Sequence, residues 1–140
     1  DLEDADGIPD AVTRLKEEII ASDGLIIATP EYNNAMPGVL KNAIDWLSRP
    51  PSDSGRVFAG RPVAIVGATP GGMGTVLAQD SLLPVLRALS MRPWFGGRVM
   101  LSRASKLMDD TGELGDDAAR DQLRMFINGF AAFVRGGQTS

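Results

Sequence analysis

Apolar positions along this chain switch between helical and strand-like spacing. Ile8, Val12, Leu15 and Ile19 fall four, three and four residues apart, one face of a helix, with Pro9 at its start and Gly24 just past its end. Leu25-Ile26-Ile27-Ala28 is apolar without alternation, which predicts a short parallel strand covered on both faces. Helical spacing returns at Val39, Leu40, Ala43, Ile44 and Leu47, with Pro37 in the first turn. Arg49 to Gly55 reads as a loop by composition. Val63 to Val66 predicts a second buried strand, which runs into Gly67-Ala68-Thr69-Pro70-Gly71-Gly72-Met73-Gly74. A helix follows, with Leu83, Leu86 and Leu89 inward. Trp94-Phe95 and Val99-Met100-Leu101 predict a third, short strand region interrupted at Gly96-Gly97. Asp116 or Asp117 caps a last helix whose stripe is Leu123, Phe126, Ile127, Phe130 and Val134. Residues 136–140 are expected to be a disordered tail, and no internal repeat is found.

Regular alternation of helix and strand predicts an α/β fold, a parallel sheet with helices on both faces. In such sheets ligands sit outside the carboxyl ends of the strands. Two loops occupy that place. Thr29 to Asn34 is polar and follows the first strand; Gly67 to Gly74 is glycine-rich and follows the second. Asn33 and the backbone N–H groups of the first loop suit the polar edge of a flat ligand, and Tyr32, the only tyrosine, could cover its face. Pro30, Asn33 and Asn34 are equally good turn formers. Glycines at the second loop allow close backbone approach and open a helix, whose N-terminus favours electron-rich groups. That string is neither a true G-x-G-x-x-G nor a Walker motif, so a plain turn remains open. Lys41 and Asp45 are spaced to pair on a helix surface. Trp46 suits core or interface packing.

Composition narrows the chemistry. The 140 residues suffice for one domain with a real core, and 44% hydrophobic with 23% charged residues fits a globular chain. A net charge of −4 lacks the basic footprint that nucleic-acid binding requires. No apolar run is long enough to span a membrane and nothing resembles a signal peptide, so a cytoplasmic setting is expected. There is no Cys and no His, which excludes thiolate nucleophiles, imidazole bases and the common zinc sites. A bound cofactor that carries the chemistry itself fits those absences. The acidic clusters Glu3-Asp4-Asp6 and Asp109-Asp110 read as solvated faces, and no metal site is expected.

Thr29-Pro30-Glu31-Tyr32-Asn33, followed by Pro37-Gly38-Val39-Leu40-Lys41-Asn42-Ala43-Ile44-Asp45-Trp46, resembles the signature of NAD(P)H-dependent FMN reductases. These are flavodoxin-like enzymes that include quinone, chromate and azo-dye reductases. The resemblance implies a flavodoxin-like three-layer α/β/α sheet in which residues 1–135 form the C-terminal portion of an FMN-binding domain. The family's opening strand and phosphate loop have no counterpart here, so an N-terminally incomplete fold is expected, holding FMN poorly by itself. The resemblance places Pro30, Glu31, Tyr32 and Asn33 against the flavin, and Ala68, Thr69, Gly71 and Gly72 on its pyrimidine side. Relatives often carry Ser where Ala68 stands. It implies hydride transfer from NADPH or NADH to FMN, then electron transfer to a quinone, azo compound, metal oxyanion or free flavin. No catalytic side chain is named. Two other readings stand beside it, a flavodoxin-like carrier without turnover and a receiver-like module. A homodimer or homotetramer is expected, with Trp46, Leu47, Met91, Trp94 and Phe95 as candidate interface groups.

Overall fold

The computed structural model describes residues 7–137, so the acidic stretch at 3–6 and the segment 138–140 lie outside the described residues. Helix α1 (Asp10–Ala21) leads to strand β1 (Leu25–Thr29), helices α2 (Gly38–Leu47) and α3 (Pro51–Phe58), and strand β2 (Pro62–Ala68). Helix α4 (Val76–Ala88), strands β3 (Arg92–Pro93) and β4 (Val99–Leu101), a 3₁₀ turn (Ala104–Lys106) and helix α5 (Asp117–Gly136) complete it.

Everything in the sheet pairs with β2. It runs parallel to β1 from Leu25↔Val63 to Thr29↔Gly67. On its other side it meets β3 at Pro62↔Arg92 and then β4 from Val66↔Val99 to Ala68↔Leu101. The third strand region is thus one position in the sheet, interrupted around the glycine pair as expected, but its first part is Arg92–Pro93. Trp94-Phe95, expected as strand, lie in the break over residues 94–98 because the Trp94 ring turns to pack against α5. Alternation along β2 separates two cores. Val63 faces Ile19, Ile27, Ile44, Leu47, Val57, Phe58, Leu82 and Leu86, beneath α1 to α4. Ala64 faces Val99, Phe126 and Phe130, beneath α5. The result is the expected three-layer α/β/α arrangement.

Trp94 fastens α5 to the sheet. Its ring meets Phe126 edge-on at 5.0 Å and Phe130 at 5.9 Å. A Cβ at Gly129 would lie 2.7 Å from that indole, so the helix can approach only because that residue has no side chain. Asp116 caps α5, its carboxylate accepting from the Ala119 N–H at 2.8 Å.

The structure corrects several expectations. The segment expected as a loop over Arg49–Gly55 contains the first turns of α3, because proline at the first helical position and Asp53 near the N-terminus suit a helix start as well as a loop. On α1 the buried cation Lys16 replaces Leu15, which is 43% exposed. Lys16 reaches the Arg49 carbonyl and lies 3.1 Å from the Asp53 carboxylate, and these contacts turn the helix face toward α3. Asp53 is held below the usual carboxylate range, chiefly by the hydrogen bond from Arg56 and then by that from Lys16. β1 is covered on one face only: α5 lies over β2 and β4, leaving Ile26 42% exposed and Ala28 exposed. Gly24 is a packing position, where a Cβ would come within 2.9 Å of Val134. On α4 Leu82 takes the inward place expected of Leu83, and is fully buried together with Ala78 and the expected Leu86. On α5 Ile127 is exposed. That helix runs to Gly136, into the expected tail.

Gly67 is the tightest point of the fold. A Cβ there would fall 2.0 Å from Thr75 Oγ1 and 2.6 Å from the Thr29 carbonyl oxygen. Gly67→Ala is expected to destabilise the protein by about 3 kcal/mol, the upper range of overpacking costs. Chemical denaturation measures it, and a loss below about 0.5 kcal/mol, the scale of a neutral surface change, would contradict this packing.

Candidate functional site

The loops after β1, β2 and β4 meet at the carboxyl end of the sheet, and hydrogen bonds fix their relative positions. The first loop closes on itself. Tyr32 and Ala35 exchange backbone bonds of 3.0 and 3.1 Å around Asn33 and Asn34, whose φ angles are +50° and +62°. Two central residues with positive φ are what a tight type I′ hairpin turn demands, and Asn tolerates that region better than most residues. The turn carries Tyr32, 59% exposed, and the exposed Asn33 side chain out into solvent.

Glu31 points elsewhere. Its Oε2 accepts hydrogen bonds from the Leu77 and Ala78 N–H groups, at 2.9 and 3.0 Å, in the first turn of α4. A carboxylate there satisfies two of the helix's orphan donors and meets the positive end of its dipole. The Met36 N–H donates to Ser81 Oγ at 2.9 Å, one turn further along α4. The first loop is thereby docked on the helix that the second loop opens.

The second loop is pinned from its other side. Thr69 N–H donates to the Leu101 carbonyl and the Thr69 carbonyl accepts from Ala104 N–H, both at 2.9 Å. Arg103 N–H donates to the Gly71 carbonyl at 2.8 Å. Thr69 Oγ1 accepts from Gly71 N–H at 3.3 Å. Gly74 has φ +64°, and a Cβ there would lie 2.8 Å from the Met100 carbonyl oxygen, so this glycine serves the turn. Gly72 is open, with nothing within 4 Å of a Cβ. With Leu77 and Ala78 taken up by Glu31 and Gly71 by Thr69, the N–H groups of Gly72, Met73 and Gly74 are that loop's donors not spent on another described residue, and of these Gly72 and Met73 belong to exposed residues.

Beside these loops, on the α5 face, lies an open apolar cleft of about 360 Å³ lined by residues that include Thr29, Pro30, Gly67, Ala68 and Leu101. Of the residues singled out from sequence, Pro30 and Ala68 line this cleft, while Tyr32, Asn33, Gly71 and Gly72 are exposed on the two loops beside it. Glu31 and Thr69 border it with their side chains turned to the protein. Lys41 and Asp45 form the expected surface pair at 2.7 Å. Sequence reasoning missed Ser81, whose hydroxyl accepts from the Met36 backbone N–H, and Arg103, whose link to the site runs through its own backbone N–H. Among the described residues no cluster of acidic groups could hold a metal ion. The open Gly72, its free N–H, the flat apolar cleft and the exposed Tyr32 fit a planar ring with a polar edge, as in a flavin.

Comparison with known proteins agrees with that geometry. A family model described as NADPH-dependent FMN reductase matches residues 1–106. The chain is 46% identical over 129 residues to an NAD(P)H-dependent FMN reductase of Pseudomonas aeruginosa, covering 92% of this chain and 68% of that protein. It is 39% identical over 127 residues to a 2-hydroxy-1,4-benzoquinone reductase of a Burkholderia species, covering 91% of this chain and 68% of the relative. Among solved structures it superposes on FerB, a flavoenzyme NAD(P)H:(acceptor) oxidoreductase from Paracoccus denitrificans. That match has a TM-score of 0.83 and 32% identity, covering 97% of this chain and 73% of FerB. Fold and site define a flavodoxin-like reductase. The chain belongs to the NADPH-dependent FMN reductase family, whose enzymes use FMN and NAD(P)H.

Glu31 and Asn33 can be separated experimentally. Glu31→Ala removes two charge-assisted bonds and is expected to cost about 1–2 kcal/mol of stability. It should also weaken FMN binding, because the two loops lose their shared anchor. Glu31→Gln keeps an acceptor oxygen and should retain most of both. Asn33→Gly keeps the positive φ and should leave stability nearly unchanged while lowering FMN affinity. Denaturant melts with FMN fluorescence titration check both, and full affinity in Asn33→Gly would remove that side chain from the site.

Proposed function

We propose that this protein is an FMN-dependent NAD(P)H oxidoreductase that passes electrons to quinones. The observation that carries this is the pair of strand-end loops locked together by Glu31, which present Gly72 and Met73 N–H groups without a described partner beside an open apolar cleft. The bound flavin would supply the redox chemistry, accepting hydride from the nicotinamide and releasing electrons to the acceptor. The residues present would bind and orient. Gly72 and Met73 N–H groups would face the electron-rich edge of the ring, where negative charge must be stabilised on reduction. Asn33 would hydrogen-bond its polar rim, Tyr32 would cover ring or substrate, and Pro30 and Ala68 would lie against the apolar side. No described side chain is needed as proton donor or acceptor. Azo compounds, metal oxyanions such as chromate, and free flavin are the other acceptors of this chemistry. A cytoplasmic setting is part of the same proposal.

The reading is tested on protein expressed from its complete reading frame. Flavin absorbance of the purified protein and quinone-dependent NAD(P)H oxidation are expected. A protein that does not bind FMN would overturn the assignment. A yellow protein without turnover would instead support an electron carrier.

A homo-oligomer, most simply a dimer, also belongs to this proposal, but on different residues from those the sequence suggested. Leu47 and Met91 are buried, Trp46 is half-buried and Trp94 packs against α5, so of that group Phe95, 70% exposed, presents the large free surface. Three of the most exposed apolar residues stand on or next to the site loops, Tyr32 at 59%, Val39 at 77% and Met73 at 72%, while Phe95 and Met125 are exposed elsewhere. Val76 and Leu77 continue the patch at the start of α4, 43% and 40% exposed, where Glu31 brings the first loop against the helix. An apolar patch around a ligand site is what a subunit contact closing that site requires. Sedimentation of the flavin-loaded protein should give a dimer or larger species, reduced by Met73→Glu. A monomer at micromolar concentration would refute it.

A further inference from the structure

Arg103 occupies a position that a large residue adopts only under constraint. Its φ and ψ are +50° and +41°, left-handed backbone that favours glycine or asparagine. Three bonds hold it there: its N–H donates to the Gly71 carbonyl at 2.8 Å, the Ala104 N–H to the Thr69 carbonyl at 2.9 Å, and the Lys106 N–H to the Arg103 carbonyl at 2.8 Å. The strained residue is thus tied directly to the glycine loop assigned to the flavin. Its side chain is exposed, and neither its guanidinium nor the Lys106 ammonium makes an ion pair or hydrogen bond with any described residue.

Among the described residues no carboxylate pairs with either cation. Asp109 accepts from the Thr111 N–H and hydroxyl and from the Glu113 N–H, and its acidity is strengthened chiefly by the Thr111 hydroxyl. Glu31 is spent on α4 and Asp45 on Lys41. Asp110 and Glu113 stand on the hairpin that follows, closed by the Met108↔Leu114 bridge. In a chain of net charge −4, two cations at the carboxyl end of the sheet without an ion-pair partner among the described residues offer a local seat for an anion. Arg presents a planar fork suited to phosphate, and Lys a second point charge.

We propose that Arg103 and Lys106 bind the phosphate of the dinucleotide donor and select NADPH over NADH through its 2′-phosphate. This rests on the reading of the site as an FMN and nicotinamide site. The bond from the Arg103 N–H to the Gly71 carbonyl keeps these cations at the rim of the loop assigned to the ring, which a dinucleotide donor must approach to deliver its hydride.

The test uses FMN-loaded protein from the complete reading frame and the variants Arg103→Gly, which keeps the left-handed backbone, and Lys106→Ser. Adenosine 2′,5′-bisphosphate and 5′-ADP serve as probes in calorimetric titration. Wild type should prefer the 2′-phosphorylated probe, and the double variant should lose about tenfold of that preference, the scale of one charge-assisted bond. KM for NADPH should rise by a similar factor, with kcat and the KM for NADH unchanged. An unaltered probe preference, or an equal change for both donors, overturns the proposal. Protein that oxidises neither donor refutes the underlying reading instead, and the probe titration then decides the anion seat independently.

Discussion

The site depends on a carboxylate that does no chemistry. The first turn of any helix carries N–H groups without intrahelical partners, and in α4 two of them are met by Glu31, 46 and 47 residues earlier in the chain. A bond across that separation can form only if β1 and β2 are already paired in register, since Glu31 follows β1 by two residues and α4 follows the loop after β2. Once formed, it fixes the distance between two loops that would otherwise be independent. Met36 on Ser81 adds a second anchor on the same helix. Preorganisation of this kind is the contribution a protein can make when a cofactor brings the reactivity.

The register that places Glu31 is enforced by the absence of a side chain. Gly67 pairs with Thr29 in the sheet and lies beneath buried Thr75, and no other residue fits between them. Shifting β1 by one residue would turn Ile27 out of the larger core and Ile26 into it, exchanging a well-packed position for a mismatched one. Core packing, the Gly67 contact and the Glu31 cap therefore select the same alignment. Agreement between levels is what makes a single arrangement stable. β1 is the least covered part of this system, with Ile26 and Ala28 open on the α5 face and no strand on its outer edge among the described residues.

What the sequence disclosed follows from how each feature is encoded. Strand and helix positions were legible where burial repeats, as in Leu25 to Ala28 and the stripe through Phe126 and Phe130. They were misread where one composition serves two structures. Pro50, Pro51, Ser52 and Asp53 suit a loop, and they equally suit the start of α3. Leu15 lost its place to Lys16 because a buried cation with a carbonyl and a carboxylate partner can occupy an apolar face, an arrangement periodicity cannot see. The site loops were legible through side chains and their position after strands. The links between them were not, because Leu77, Ala78, Met36, Gly71 and Arg103 act through backbone groups that every residue possesses.

Asn33 and Asn34 show why turn and site need not compete as explanations. Their positive φ angles and the paired bonds between Tyr32 and Ala35 make the turn real. That same tight turn leaves the Asn33 amide at an exposed tip, with its position fixed by backbone geometry instead of by side-chain packing. A hydrogen-bonding group presented in this way loses little conformational freedom when it meets a ligand, because the backbone has been ordered by folding. In a chain without histidine or cysteine, such rigid presentation of amides and backbone N–H groups is the means available for recognising a polar ring edge. On the proposed flavin reading, the local turn chemistry is thus part of how the site would work.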